Sequence, residues 1–412
     1  MNKKKVFLWS LYDFANSIAM IVFFLYYSQW IVIDKGVSDF WFNMSFVGSS
    51  VLLLLTAPVA GAISDKIKVK MPGLKITTLL SSLFFLATGI NASFFPEHHI
   101  VSLFLFTLAT YFYLFCFVFY NALITDVAHP SKHGTVSGWG IFSNYAGQIT
   151  GLLVTLPLAT GAVVLWGEPG RAQPLIPAAI LFLLLALPTI LFFKEESVRE
   201  KVSISIGGEY KKVISSFKSL IGAPGLGTFF LAYFLFNDAL ITASNNFPIY
   251  LEKVLSISDT VKTFLLILIM LTSAIGAIIG GWVTDRVGHK RSLIGVLLGW
   301  VITYAGMIIS TNFIWFAIFS GMMGLFFGAT WAVTRALVTQ LTPPDALNQS
   351  FTYYTLMERF ATFVGPITWG LIVTIPFRAP GTSYRLAAAS MCLFVIVGLY
   401  IAKKIPEKNL AV

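Results

Sequence analysis

The 412-residue chain is 57% apolar and 11% charged, whereas a soluble globular domain averages roughly 45–50% apolar and about 25% charged. So few charges, with a mean hydropathy of +0.81, exclude a water-soluble globule. The net charge of +10 is then to be read first as membrane topology rather than as a nucleic-acid footprint.

A membrane helix needs about 20 mainly apolar residues. Twelve such stretches follow one another, over residues 6–33, 41–63, 74–95, 100–127, 136–156, 174–193, 224–251, 263–284, 292–310, 313–341, 350–375 and 384–402. The runs are continuous rather than alternating, which favours helices over an outer-membrane barrel. The first resembles a signal peptide at Lys3, Lys4 and Lys5, but it continues to Ile33 with no small-residue cleavage site near its end, so it is expected to be retained as a span. The stretch 194–222, with six basic and four acidic residues, is the only long charged interruption. It predicts an N-terminal six-helix bundle over 1–193, a linker, and a C-terminal six-helix bundle over 223–412. Most Lys and Arg fall on the side of the termini and linker; only Lys35, Arg171, Lys253, Lys262, Arg378 and Arg385 fall on the other. The positive-inside rule therefore puts both termini in the cytoplasm.

Some chemistries drop out. Cys116 and Cys392 lie in apolar runs, which suits neither a disulfide framework nor a zinc site. Pro130 breaks the helix that would align His129 with His133 on one metal. No Gly-rich run ends in Lys-Ser/Thr, so no Walker-type ATP site and no cofactor is expected, and transport would run on a gradient or downhill.

An ionisable side chain at the bilayer centre costs at least about 2.5–3.5 kcal/mol and is a functional candidate by default. Asp13, Asp238, Arg335, Glu358 and Arg359 are the clear cases, with Asp126 near the end of the fourth span. Asp13, Asn16 and Ser17 share one helix face, as do Asp238, Thr242 and Asn245. The first helix of each half thus carries one acid on a polar stripe, which suits a cavity wall better than lipid. Asn144 and Gln148, one turn apart in the fifth span, are further candidates for a polar solute, although bridging of helices is an equal reading. Shifting the eleventh span back by 214 residues sets Glu358 over Asn144, Arg359 over Tyr145 and Gly365 over Gly151. By height, Arg335 and Glu358 could pair, either as a static ion pair or as a gate. Gly276 with Gly280, and Gly324 with Gly328, have the small-xxx-small spacing of close helix packing. The aromatic run Tyr111, Tyr113, Phe115 and Phe117 is expected to face lipid.

Gly61-Ala-Ile-Ser-Asp65-Lys66 closes the second span, and Gly281-Trp-Val-Thr-Asp285-Arg286 closes the eighth, 220 residues later. This doubled loop resembles the signature of the major facilitator superfamily. The resemblance implies an all-α polytopic membrane protein, with twelve transmembrane helices in two pseudo-symmetric six-helix bundles that open alternately to either side. It also implies that Asp65 and Asp285 latch the opposite bundle; the first copy departs from the pattern at Lys68 and Val69. A closer match lies in Tyr12-Asp13-Phe14-Ala15-Asn16 and Asn237-Asp238, supported by Phe119-Tyr-Asn-Ala122, Ser137-Gly-Trp-Gly140 and Phe363-Val-Gly-Pro366. These are similar to the autophagy-related vacuolar amino-acid effluxers and their bacterial relatives.

The expected activity is secondary or facilitative transport of a small polar solute, amino acids being the class the resemblance suggests, with Asp13 and Asp238 binding either the substrate amine or a coupling proton. Alternatives are a lipid or amphiphile exporter on the same scaffold, or a membrane-embedded transferase, which should show a polar loop with paired His and Asp/Glu that the sequence lacks. The expected setting is a monomer in a bacterial inner membrane, with no nucleic-acid partner.

Overall fold

The computed structural model describes residues 3–67, 69–127, 133–195, 225–342, 362–379 and 381–406, with short pieces at 207–208, 211, 214–215, 218, 221–222, 353–354 and 357–358. Among these residues the chain forms twelve helices of ten residues or more. In order they are α1 (Lys3–Val22), α2 (Asp39–Ile67), α3 (Met71–Phe94), α4 (His99–Ala122), α5 (His133–Ala159), α6 (Leu175–Phe192), α7 (Leu226–Leu255), α8 (Asp259–Val287), α9 (His289–Ile309), α10 (Phe313–Leu341), α11 (Val364–Val373) and α12 (Thr382–Ala402). Ten helical segments are long and apolar enough to cross a membrane. The two outside that set are α5, whose middle carries Asn144 and Gln148, and α11, which is ten residues long. Continuous apolar sequence makes helix the only open-ended way to satisfy every backbone group in lipid.

Two departures from the expected spans are informative. The first span is α-helical only to Val22; it continues through two π-helical turns, Phe23–Tyr27 and Trp30–Asp34, which re-aim its side chains. The eleventh was expected to run unbroken over 350–375. Tyr353, Tyr354, Met357 and Glu358 are helical, but Thr362 and Phe363 leave the helix before α11 begins at Val364. Pro366 sits in the first turn of α11, where a missing N–H costs nothing.

The chain divides into two compact units, Met1–Lys211 and Lys212–Val412. In the first, α1 packs against α5 and α6, α3 against α4 and α6, and α2 against α4. In the second, α7 packs against α11 and α12, α9 against α10 and α12, and α8 against α10. Adding six to each helix number reproduces these five pairs of the first unit in the second.

The expected glycine seam is real and joins α8 to α10. A Cβ at Gly276 would strike the Leu325 carbonyl, one at Gly280 would lie 2.8 Å from Ala329 Cα, and Gly324 and Gly328 meet the Ile269 and Ser273 carbonyls. Ser273 Oγ adds a hydrogen bond to Gly324 O at 2.9 Å. The aromatic run of α4 is a correction: Tyr111 and Tyr113 are buried, each 8% exposed. Tyr111 packs on Leu53 and Ala57 of α2 and donates to Thr56 Oγ1 at 3.0 Å, so an inter-helix contact claims a ring that an all-apolar helix could have turned to lipid.

Three of the basic residues on the expected outer side find local partners. Arg171 donates to Asp34 at 2.8 Å, fully buried Lys262 sits between Glu252 and Asp259, and Arg385 donates to the carbonyls of Ile308 and Ser310.

Candidate functional site

In the first unit the α1–α5 seam gathers four of the residues expected from sequence. Asn144 Nδ2 donates to Asp13 Oδ1 at 3.0 Å, Gln148 Nε2 donates to Asn144 Oδ1 at 2.5 Å, and Ser17 Oγ donates to the Asn144 carbonyl at 2.9 Å. Such a chain from carboxylate to amide to amide fits the low dielectric of a membrane interior, where each group needs a partner. The helices can approach this closely because α5 presents Gly147 to the Phe14 carbonyl and Ser17 Oγ, and Gly151 to Ile18. Asp13 is 8% exposed, while Asn144 and Gln148 remain partly accessible. Two further residues, given no role in the sequence reading, tie α1 to α4 beside the seam. Trp9 and Tyr120 stack at 4.7 Å and exchange hydrogen bonds of 3.2 Å, each donating to the other's carbonyl, which sets the Tyr120 hydroxyl beside Asp13. Asn16, expected on the same stripe, is buried at 1% exposure and neither atom of its amide makes a hydrogen bond of normal geometry.

In the second unit α7 and α11 meet in the corresponding way, with one difference. Asp238 is fully buried and its Oδ2 accepts the N–H of Gly365 at 2.6 Å, with the amides of Phe363 and Val364 beside it. Its carboxylate therefore caps the N-terminus of α11, where exposed amides and the helix dipole favour negative charge. Thr242 Oγ1 closes on Asp238 Oδ1 at 3.5 Å. A Cβ at Gly365 would lie 2.8 Å from Asp238 Oδ1, so glycine is required for this approach. The preceding residue, Asn237, donates to the Glu358 carbonyl at 3.4 Å. One dipeptide on α7 thus holds both sides of the break before α11. The signal in the sequence was Gly365-Pro366, which marks a helix start, but its partner lies 127 residues away.

The remaining expected residues divide. Asn245 is partly buried on the Asp238 helix but not joined to it by a hydrogen bond. Arg335 is exposed, Glu358 is partly buried, and both act electrostatically on Tyr233 and Tyr354, which stack at 4.7 Å. Asp285 is exposed, and Arg286 lies over the Trp282 ring at 3.9 Å. A Cβ at Gly281 would meet nothing within 4 Å, and one at Gly61 only Val118 at 3.8 Å, so neither glycine marks a close helix approach. The side chains of Asp65 and Lys66, all of Arg359, His129 and Pro130, and most of 194–222 lie outside the described residues. At the adjoining loop, Lys70 Nζ pairs with Asp126 at 2.7 Å, and the Glu195 carboxylate accepts the amides of Lys70 and Met71 at 2.6 and 2.9 Å, capping α3.

Residues 229–411 match the model of the Major Facilitator Superfamily. Over its whole length the chain is similar to the uncharacterized MFS-type transporter YxiO of Bacillus subtilis, 24% identical over 97% of this chain and 94% of that protein. An uncharacterized protein of Aquifex aeolicus is 22% identical over 70% of this chain and 68% of its own. Among solved structures, a bacterial homologue of the human lysosomal transporter Spinster, inward-facing and unoccupied, superposes with a TM-score of 0.77 at 12% identity, covering 98% of each chain. A variant of the nucleoside transporter NupG gives 0.76 at 11% identity, over 98% of this chain and all of that one, and the D-xylose-proton symporter 0.74 at 12%, over 98% of both. The chain therefore has the all-helical fold of the major facilitator transporters.

Proposed function

We propose that the chain is a secondary transporter that moves a small polar solute across the membrane by alternating access of its two units, with amino acids as the substrate class. The observation that carries this reading is the repeated seam. The first helix of each unit bears a buried carboxylate, Asp13 or Asp238, held by the fifth helix of the same unit. A carboxylate at that depth has no lipid-compatible role, and a pseudo-symmetric pair suits a mechanism in which one half exchanges roles with the other. Asn144 and Gln148, partly accessible beside Asp13, are the amides suited to bind the solute. Asp13 then serves its amine or a coupling proton, and Asp238 couples a proton through its hold on α11. Asp65 and Asp285 serve as cytoplasmic latches, and Arg335, Glu358 and Arg359 belong to the gate. The protein is placed as a monomer in a bacterial inner membrane, both termini cytoplasmic. The likeness to solved transporters supports the mechanism, and the sequence resemblance to the vacuolar effluxers supports the substrate class.

The test is counterflow into proteoliposomes loaded with single amino acids, nucleosides or sugars. Exchange of amino acids that Gln148→Ala weakens through KM supports the reading; exchange restricted to an amphiphile, unaffected by Gln148→Ala, would replace it with a lipid exporter.

A further inference from the structure

Several polar side chains inside the first unit carry buried atoms without a hydrogen-bond partner, and the contacts around three of them set these three at similar heights. Asn16 on α1 and Thr110 on α4 are 1% exposed, and Ser82 on α3 is 3% exposed. Asn16 Oδ1, Ser82 Oγ and Thr110 Oγ1 make no hydrogen bond of normal geometry, and the Asn16 amide lies beside the Asp13 carboxylate. The layers on either side fix their height. On one side Tyr12 Oη meets Thr78 Oγ1 at 2.7 Å, and Thr78 Oγ1 lies 3.7 Å from Cys116 Sγ. On the other, Phe23 packs on Phe85 and Phe106 with ring centroids 4.5 and 6.4 Å apart. Asn16 stands one turn from Tyr12, Ser82 one turn from Thr78, and Thr110 one turn from Phe106, so each shares the inward face of a neighbour already placed. Ser81 Oγ donates to the Ala109 carbonyl at 3.3 Å, so in this antiparallel pair of helices Ser82 and Thr110 differ in height by only about 3 Å.

The hydroxyls are also turned in an unusual direction. Thr78, Thr88 and Thr107 donate to the carbonyl one turn back, at 2.6, 2.7 and 2.9 Å. Ser82 and Thr110 forgo that bond, leaving their oxygens for another partner. Asp13, one turn before Asn16, supplies a charge. Its neighbours are the Asn144 amide, the Tyr120 hydroxyl and Asn16, all neutral. A buried carboxylate with only neutral neighbours is short of a positive charge.

We propose that this layer binds one sodium ion, with Asn16 Oδ1, Ser82 Oγ and Thr110 Oγ1 as ligands and the Asp13 carboxylate as countercharge. Hard neutral oxygens with a single nearby carboxylate suit a monovalent cation; a divalent one would demand more charge. The site goes beyond the transport reading, because it requires no contact between solute and Asp13.

The test uses the purified full chain, its melting temperature titrated with sodium chloride, potassium chloride and choline chloride at matched ionic strength. A ligand that binds only the folded state raises stability with its concentration, so a saturable rise of a few degrees specific to sodium is expected. The rise should vanish in the isosteric Thr110→Val, survive in Thr110→Ser, which restores the oxygen, and survive in Asn245→Ala of the other unit. Equal responses to the three salts, or an undiminished sodium response in Thr110→Val, would overturn the proposal and leave buried water in the layer. Should Thr110→Val fail to fold, equilibrium binding of radioactive sodium to the unaltered chain decides, and no saturable binding overturns the proposal.

Discussion

Replacing Asp238 by alanine should destabilise the second unit far more than removing a solute-binding group would. The carboxylate accepts the Gly365 amide at 2.6 Å and faces those of Phe363 and Val364, all at the start of α11. Each buried amide left without an acceptor costs about 1–3 kcal/mol. Backbone relaxation at the break recovers part of that, so a net loss of about 3–5 kcal/mol is expected from Asp238→Ala. At roughly 2–4 °C per kcal/mol for units of this size, the melting temperature should fall by about 6–20 °C. Asp238→Asn keeps one acceptor oxygen and ranks close to Asp as a cap, so its loss should be about 1 kcal/mol. Thermal unfolding in detergent, followed by size-exclusion recovery, measures both. The same proteins in proteoliposomes separate the second role: Asp238→Asn should abolish uptake driven by a pH gradient while leaving counterflow intact. An Asp238→Ala protein with unchanged melting temperature would refute the capping argument, and wild-type pH-driven uptake in Asp238→Asn would remove proton coupling from this residue.

Gly276→Ala should cost about 2–4 kcal/mol, because its Cβ strikes the Leu325 carbonyl and the α8–α10 seam must part. Gly281→Ala, where nothing lies within 4 Å, should gain up to about 1 kcal/mol from helix propensity, and melting curves of the pair check the contrast. Lys262→Met leaves Glu252 and Asp259 without their buried cation; since Glu252 is about a quarter exposed, a loss of about 1–3 kcal/mol is expected by thermal unfolding. Cys116 and Cys392 are buried, so a single cysteine at exposed Lys211 can be labelled cleanly in sealed right-side-out vesicles. Protection from an impermeant reagent is expected there, and labelling from outside would invert the topology.

Much of the architecture was legible in the sequence because lipid acts locally. A run of about 20 apolar residues has one way to hide its backbone, so most spans could be placed within a few residues, the eleventh excepted. Spacing at fixed turns found the Gly276, Gly280, Gly324 and Gly328 seam and the polar stripe of Asp13 and Ser17, since both are properties of a single helix. Helices uniformly apolar around their circumference gave no such guide: nothing in α4 distinguished the face of Tyr111, which turns to α2, from one turned to lipid. The partner of Asp238 was equally hidden, because Gly365-Pro366 announces a helix start but not the carboxylate that caps it from another helix. Tertiary structure alone joined Asn144 to Asp13, set Tyr120 beside Asp13, and left Asn16, Ser82 and Thr110 at similar heights on three helices. Periodicity fixes which residues share a face of one helix. Which faces meet is decided by the fit of small residues and by the need of each buried polar atom for a partner, and in a chain of helices that partner is usually far away in sequence.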